Sequence, residues 1–151
     1  MTISILVDSD ACPVREEVYK VAERHQARVY IVANSYIRIP DDPLVERVVV
    51  NDKFDAADDW IAERADASTV VVTADILLAE RCIKTGATVL APTGKPFTEN
   101  SIGMSVATRA IMADLRAGVG ITAGPAPFSP ADRSNFLSAL HMALVRLKRS
   151  A

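Results

Sequence analysis

The chain has 151 residues, 50% of them apolar and 24% charged, with a mean hydropathy of +0.17, which excludes a disordered polymer. Six Gly and eight Pro exclude collagen-like or low-complexity structure, and the length suits one domain with one sizeable core. A net charge of −2 excludes a whole-chain basic field for nucleic acid, yet residues 1–108 carry net −6 and residues 109–151 net +4, an asymmetry that suits an acidic site facing a basic rim.

Taken in chain order, Ile3-Ser4-Ile5-Leu6-Val7 is short, apolar and rich in branched residues, and reads as a strand buried on both faces. Pro13 suits the first turn of a helix, and Glu16 and Glu17 follow where the helix dipole favours negative charge. A helix over 13–25 is predicted, then a strand over 28–33, a loop over 35–43 and a strand over 45–50. A helix over 54–64 and a strand over 69–73 come next. Asp75 opens a helix over 75–84 that Thr85-Gly86 closes, and a strand follows over 87–91. Residues 92–100 read as a polar loop, 101–117 as a helix, and 118–129 as a mobile loop with three Gly and two Pro. Ser129-Pro130-Ala131-Asp132 resembles a capping box and opens a helix over 130–148.

Strands alternating with helices predict an α/β fold, a mainly parallel five-stranded sheet with helices on both faces. No interdomain linker or internal repeat is visible, so residues 1–151 read as a single domain. Two distant cysteines, Cys12 and Cys82, give neither a disulfide framework nor zinc-ligand spacing. The amino-terminal segment has no basic leader, and no run approaches the roughly 18 apolar residues of a membrane helix. The expectation is a cytoplasmic protein without a membrane partner.

The carboxylates fall at strand ends. Asp8 and Asp10 follow the first strand, Asp52 and Asp55 the third, and Asp75 the fourth. In a parallel sheet these ends share one rim, where ligands bind. Converging carboxylates repel and raise one another's pKa, and an all-oxygen set that a cation relieves favours Mg²⁺ or Mn²⁺. Each has a plainer explanation beside it: Asp75 and Asp10 suit helix caps, and Asp52 ends a strand. Asp8 has the weakest such explanation, because it directly follows the most apolar strand. At about 100° per residue, Ala56, Ala57, Trp60, Ile61 and Ala65 form one arc of their helix. Asp55, Asp59, Glu63 and Asp66 lie opposite, and Asp58 sits at the border in the first turn, best placed to face a site.

Basic candidates are fewer. On the last helix Phe136, Leu137, Leu140, Leu144 and Leu147 form a stripe, with Arg133 one turn earlier at its centre. Arg133 either snorkels or meets the acidic site or a substrate phosphate. Arg109 and Arg116 lie two turns apart and either line the rim or are solvated. Thr93-Gly94-Lys95-Pro96 lacks the spacing of a Walker A loop, but Lys95 still lies on the presumed rim. Cys12 sits where a helix dipole lowers a thiol pKa, but the nearest base on that helix, His25, is about 20 Å away. His141 flanks the last stripe as an ordinary histidine. No aromatic platform for stacking bases is identifiable.

Asp8-Ser9-Asp10-Ala11-Cys12-Pro13-Val14, Asp55-Ala56-Ala57-Asp58-Asp59-Trp60-Ile61, Val72-Thr73-Ala74-Asp75 and Gly124-Pro125-Ala126-Pro127-Phe128 together resemble the YaiI/YqxD family of small bacterial proteins. The resemblance spans nearly the whole chain. More widely the chain resembles PIN-like and NYN nuclease domains, which implies a compact three-layer fold whose acidic cluster binds Mg²⁺ or Mn²⁺ and cuts RNA. Their pattern falls on Asp8, on Asp58 or a neighbour, and on Asp75; a fourth acidic position has only Glu99 or Asp114 to offer. The resemblance implies Asp8, Asp58 and Asp75 as catalytic residues and Asp8, Asp10, Asp58 and Asp75 as metal ligands. It implies Lys95, Arg109 and Arg133 as the cations that balance phosphate charge. Two alternatives stand. A haloacid-dehalogenase-type phosphatase would use Asp8 as nucleophile, Asp10 as acid/base, Thr73 and Lys84. Its later acidic pair is missing, since Asp58-Asp59 precedes Thr73. A non-catalytic RNA- or protein-binding domain is the other.

Overall fold

A computed structural model of the protein describes residues 2–9, 12–51, 55–103 and 128–150. The candidates Asp10, Asp52, Arg109, Asp114 and Arg116, most of the expected helix over 101–117 and the loop over 118–127 lie outside these residues. The strands are β1 (Ser4–Asp8), β2 (Arg28–Ala33), β3 (Val45–Val49), β4 (Thr69–Val72), β5 (Thr88–Leu90) and β6 (Pro96–Phe97). The helices are α1 (Arg15–His25), α2 (Ala56–Arg64), α3 (Ile76–Ile83) and α4 (Pro130–Ser150). Residues 99–103 are also helical.

The fold is α/β, with one sheet in the order β3-β2-β1-β4-β5-β6. Neighbours from β3 to β5 pair in parallel, whereas β6 pairs antiparallel to β5, Val89 opposite Phe97 and Leu90 opposite Pro96. The expected count of five strands is therefore corrected to six. The extra strand is two residues long and begins with Pro, which a sheet tolerates at its edge, so no alternation marks it. It returns through a turn in which Lys95 O accepts from Ala91 N at 2.9 Å and Ala91 O accepts from Gly94 N at 2.9 Å.

The chain steps from β1 outward to β2 and β3, then returns past β1 to β4 and β5. Right-handed crossovers put connections made in opposite directions on opposite faces. The core follows that rule. Ile5, Val7, Val29, Ile31 and Val72 pack with Val14 and Val18 of α1 and Phe136, Leu140 and Leu144 of α4. Leu6, Val32, Val71 and Val89 pack with Ile61 of α2 and Leu78, Ala79 and Cys82 of α3. Residues 34–44 connect β2 to β3 without a helix, and Ile37 and Ile39 pack on the α1 side.

Two helix starts differ from expectation. α1 begins at Arg15 behind the N-cap Val14, so Pro13 precedes the helix rather than entering its first turn. α2 begins at Ala56 behind Asp55, whose φ is 67°. The α4 start is as read: Ser129 N donates to Asp132 Oδ2 at 2.9 Å and Asp132 N to Ser129 Oγ at 3.1 Å, a reciprocal box. Its buried stripe is Phe136, Leu140, Ala143 and Leu144; Leu137 is 37% exposed and stands outside it. No helix among the described residues is long and apolar enough to cross a membrane.

At the carboxyl end of α1, α1 and α4 share a polar chain. Lys148 Nζ lies 2.9 Å from His25 Nδ1, and His25 Nε2 lies 2.8 Å from His141 Nδ1. An ammonium only donates, so His25 accepts at Nδ1, carries its proton on Nε2 and donates to His141. A second proton on His25 would face Lys148. Burial first, then Lys148, His141 and Arg24, hold the His25 pKa below its ordinary value. A depressed histidine contributes stability above the ordinary imidazole value of about 6.5 that is lost as pH falls through the folded value. His25→Gln is therefore expected to flatten the loss of thermal stability on acidification from neutrality, checked by circular-dichroism melts at several pH values.

The turn before β6 approaches α4 closely. Gly94 has φ of +88°, and a Cβ there would lie 2.6 Å from Asn135 O. Gly94→Ala is expected to cost about 1–3 kcal/mol in chemical denaturation, from backbone strain and overpacking together.

Candidate acidic site

Strand order reverses between β1 and β4, and the crevice outside the carboxyl ends of two such strands is where open α/β sheets bind ligands. β1 ends on Asp8, whose residue is 9% exposed. Ser9 Oγ then donates to Val32 O at 2.9 Å and ties the end of β1 to β2. β4 ends on Val72 and is followed by the fully buried Thr73.

The Thr73 hydroxyl joins the two strand ends. Asp75 N donates to Thr73 Oγ1 at 3.0 Å, and Thr73 Oγ1 donates to Asp8 Oδ2 at 2.9 Å. A backbone N–H can only donate, so the hydroxyl proton is directed onto the Asp8 carboxylate. Asp75 is also the N-cap of α3: its Oδ1 accepts from Leu77 N at 2.9 Å and from Leu78 N at 3.4 Å. The cap does not use Oδ2. The capping expectation for Asp75 is therefore met on Oδ1.

α2 supplies the third carboxylate from its first turn. Asp58 is half-buried and its pKa is pushed up to about 6, by burial first and then by Asp75, Asp8 and Asp55, with Arg81 opposing. Asp8 and Asp75 thus both act electrostatically on Asp58, although the three come from two strand ends and a helix. The helix wheel is as read: Ile61 and Ala65 are buried, whereas Asp55, Asp59, Glu63 and Asp66 are exposed. Asp59 pairs with Arg81 at 2.9 Å. Among the described residues no group of three His, Cys, Asp or Glu side chains is close enough to form a ready metal cage.

The other candidates stand elsewhere. Lys95 is exposed on the turn after β5. Arg133 is engaged at the start of α1, where its Nη1 donates to Pro13 O at 2.7 Å and lies 3.5 Å from Glu17 Oε1. Its guanidinium also lies 5.0 Å from the Phe128 ring centre. The thiol of Cys12 is pushed up to about 11, chiefly by burial. The expected lowering by the helix start is overturned, because desolvation disfavours the thiolate more than nearby donors favour it. The residue that sequence reasoning passed over at this site is Thr73, weighed only as a phosphatase motif. Its signal was a hydroxyl placed between a strand end and a capping Asp in Val72-Thr73-Ala74-Asp75.

Comparison with known proteins agrees on one group. The model of the "Uncharacterized BCR, YaiI/YqxD family" matches residues 6–146. A UPF0178 protein of Sphingopyxis alaskensis is 68% identical over 146 residues, covering 96% of this chain and 95% of the relative. One from Nitrobacter winogradskyi is 58% identical over 148 residues, 98% of this chain and 94% of its own. One from Rhodopseudomonas palustris is 61% identical over 145 residues, with 96% and 92% covered. No solved structure matches the chain.

Asp58 provides a direct electrostatic test. A carboxyl whose folded pKa is raised contributes stability below its ordinary value of about 3.9, and loses it as pH rises through about 6. In chelator, Asp58→Asn is therefore expected to melt higher than the parent at pH values above about 7. The gain is expected to vanish in acid, as read by differential scanning calorimetry.

Proposed function

This chain belongs to the YaiI/YqxD family, and we propose that it is a Mg²⁺- or Mn²⁺-dependent nuclease that hydrolyses RNA phosphodiester bonds in the cytoplasm. The proposal takes the chain as a single PIN-like domain of three layers. The observation that carries it is the influence of Asp8 and Asp75 on Asp58 at the point where strand order reverses.

The donor set suits a hard divalent cation. It is all oxygen, its members repel one another, and Mg²⁺ is commonly held by one or two carboxylates plus waters and substrate phosphate rather than by a full protein cage. Asp8, Asp58 and Asp75 would hold it, directly or through water, with Asp10 beside Asp8 in the chain. When bound, such a cation supplies Lewis-acid stabilisation of phosphate charge and activates water. The remaining work falls to the chain. Thr73 orients Asp8 by donating to its Oδ2. The α3 cap fixes Asp75 and leaves its second oxygen to the rim. Lys95 and Arg109 are the cations proposed to balance phosphate charge, and binding of the RNA backbone would weaken with salt. Arg133 has a weaker claim, being engaged at Pro13 and Glu17.

The Thr73–Asp8 hydrogen bond also favours a second reading, a phosphatase in which Asp8 is the nucleophile. That reading requires an aspartyl-phosphate on Asp8, which the nuclease reading forbids. The two separate in one experiment on mixed RNA substrates with Mn²⁺. Asp8→Asn and Asp75→Asn are expected to abolish Mn²⁺-stimulated cleavage while the far-ultraviolet circular dichroism stays unchanged. Variants that cut as fast as the parent contradict the proposal, and a trapped acyl-phosphate transfers it to the phosphatase.

A further inference from the structure

The face of the sheet that carries the acidic site also carries an arginine. Asp8 is in register with Val32, and Val32 and Leu6 belong to the core under α2 and α3. Side chains alternate along a strand and partners in register share a face, so Asp8 stands on the side of α2 and α3. α3 leaves the carboxyl end of β4, and Arg81 is the sixth residue of Ile76–Ile83, about 7.5 Å along the axis. Helical side chains lean toward the start of their helix, so Arg81 leans back toward the rim. There it meets the first turn of α2, where Arg81 Nη1 donates to Asp59 Oδ1 at 2.9 Å. Asp59 follows Asp58 directly, and the charge of Arg81 is felt at Asp58 against those of Asp75, Asp8 and Asp55.

Two features of this pair suit an incoming oxyanion. Its side chains are 46% and 54% exposed, so the ion pair is screened by solvent and weak. Nη1 makes the contact with Asp59, whereas a guanidinium carries five donors in a planar fork that matches phosphate. Asp59 thus holds the fork beside the carboxylates without filling it. Three carboxylates outweigh one divalent cation, so a phosphodiester arriving at the crevice still needs a positive partner. Arg133 is engaged at Pro13 by α1, on the other face, and Lys95 stands on the turn beyond β5. Arg81 has its contact in the same turn of α2 that carries Asp58.

We propose that Arg81 is a substrate-binding residue of the acidic site, its guanidinium donating to a non-bridging oxygen of the phosphodiester while Asp59 holds it in place. The inference rests on the reading of the acidic rim as a phosphodiester site and adds a residue of α3 to it. Asp59 becomes a positioning residue, acting through Arg81 rather than on the substrate.

The test measures binding by the full chain, not turnover. Mn²⁺ is titrated by calorimetry, and a short labelled oligouridylate is followed by fluorescence anisotropy with Ca²⁺ in place of Mn²⁺. Arg81→Gln is expected to weaken oligouridylate binding about tenfold, the loss of one charged hydrogen-bonded contact. The slope of log affinity against log salt is expected to fall by about 0.7, the share of one phosphate. The same variant is expected to bind Mn²⁺ about threefold tighter, because a positive charge beside the carboxylates is gone. Opposite changes for anion and cation are what a merely structural arginine would not give. Arg81→Lys is expected to keep the parent's salt slope and Mn²⁺ affinity but to recover only part of the oligouridylate affinity, since it lacks the fork. Thermal melts of both variants are expected to stay close to the parent's, the pair being about half exposed. Parental oligouridylate affinity in Arg81→Gln, or Mn²⁺ binding that is not tightened, overturns the assignment. Weaker oligouridylate binding by Arg81→Gln in a chain that cuts no RNA upholds the phosphate contact and overturns the nuclease reading. Cleavage that depends on Asp8, with affinity indifferent to Arg81, does the reverse. A parent that binds no oligouridylate overturns both.

Discussion

Like charges that a fold brings together have to be relieved, and the arrangement around β1 and β4 follows from that constraint. Asp8 and Asp75 come from the ends of two adjacent strands, and Asp58 from the helix that covers them. The Asp58 carboxyl, though half-buried, is driven up to about 6 by burial and by the other two. The relief within the protein is partial and specific. Asp8 accepts a hydrogen bond from Thr73, Asp75 accepts from two backbone N–H groups of α3, and Arg81 opposes the charge on Asp58 while pairing with Asp59. Carboxylates gathered in this way are the kind of oxygen donor set that the proposed cation would need.

The sheet makes this possible through its order. Reversal at β1 and β4 sends α1 to one face and α2 and α3 to the other, the topology at which open α/β sheets bind ligands. The same reversal puts α4 against α1. Arg133 holds the start of α1 at Pro13, and the Lys148–His25–His141 chain joins the far end. Both ends of α1 are thus braced by α4, by groups to which no chemistry is assigned here. Gly94 completes the frame, since its turn lies against the α4 backbone.

Much of this was legible in the residues, and what was not has physical reasons. The branched runs at β1, β2 and β4, with an Asp at or just beyond two of them, were enough to place Asp8 and Asp75 on one rim, because in parallel strands all carboxyl ends share a side. The wheel of α2 singled out Asp58 because Ile61 and Ala65 fixed its buried face. Strand order was not legible, since periodicity says nothing about which strands pair. β6 was not legible because two residues, one of them Pro, carry no alternation. Arg133 continues the α1-facing side of α4 one turn before Phe136, and its guanidinium meets Pro13 O, a contact that no local pattern announces. Cys12 was misjudged because position at a helix start was weighed without burial. Thr73 depends on a partner from the neighbouring strand, Asp8, and no local pattern announces such a contact.

The central claim is that the crevice between β1 and β4 captures a hard divalent ion on its carboxylates. Crystals soaked in Mn²⁺ and measured at the manganese absorption edge address it most directly. The account predicts an anomalous peak with oxygens of Asp8 and Asp75 about 2.0–2.4 Å away, or one water further. A peak only at other carboxylates, or none at this crevice at saturating Mn²⁺, would contradict it.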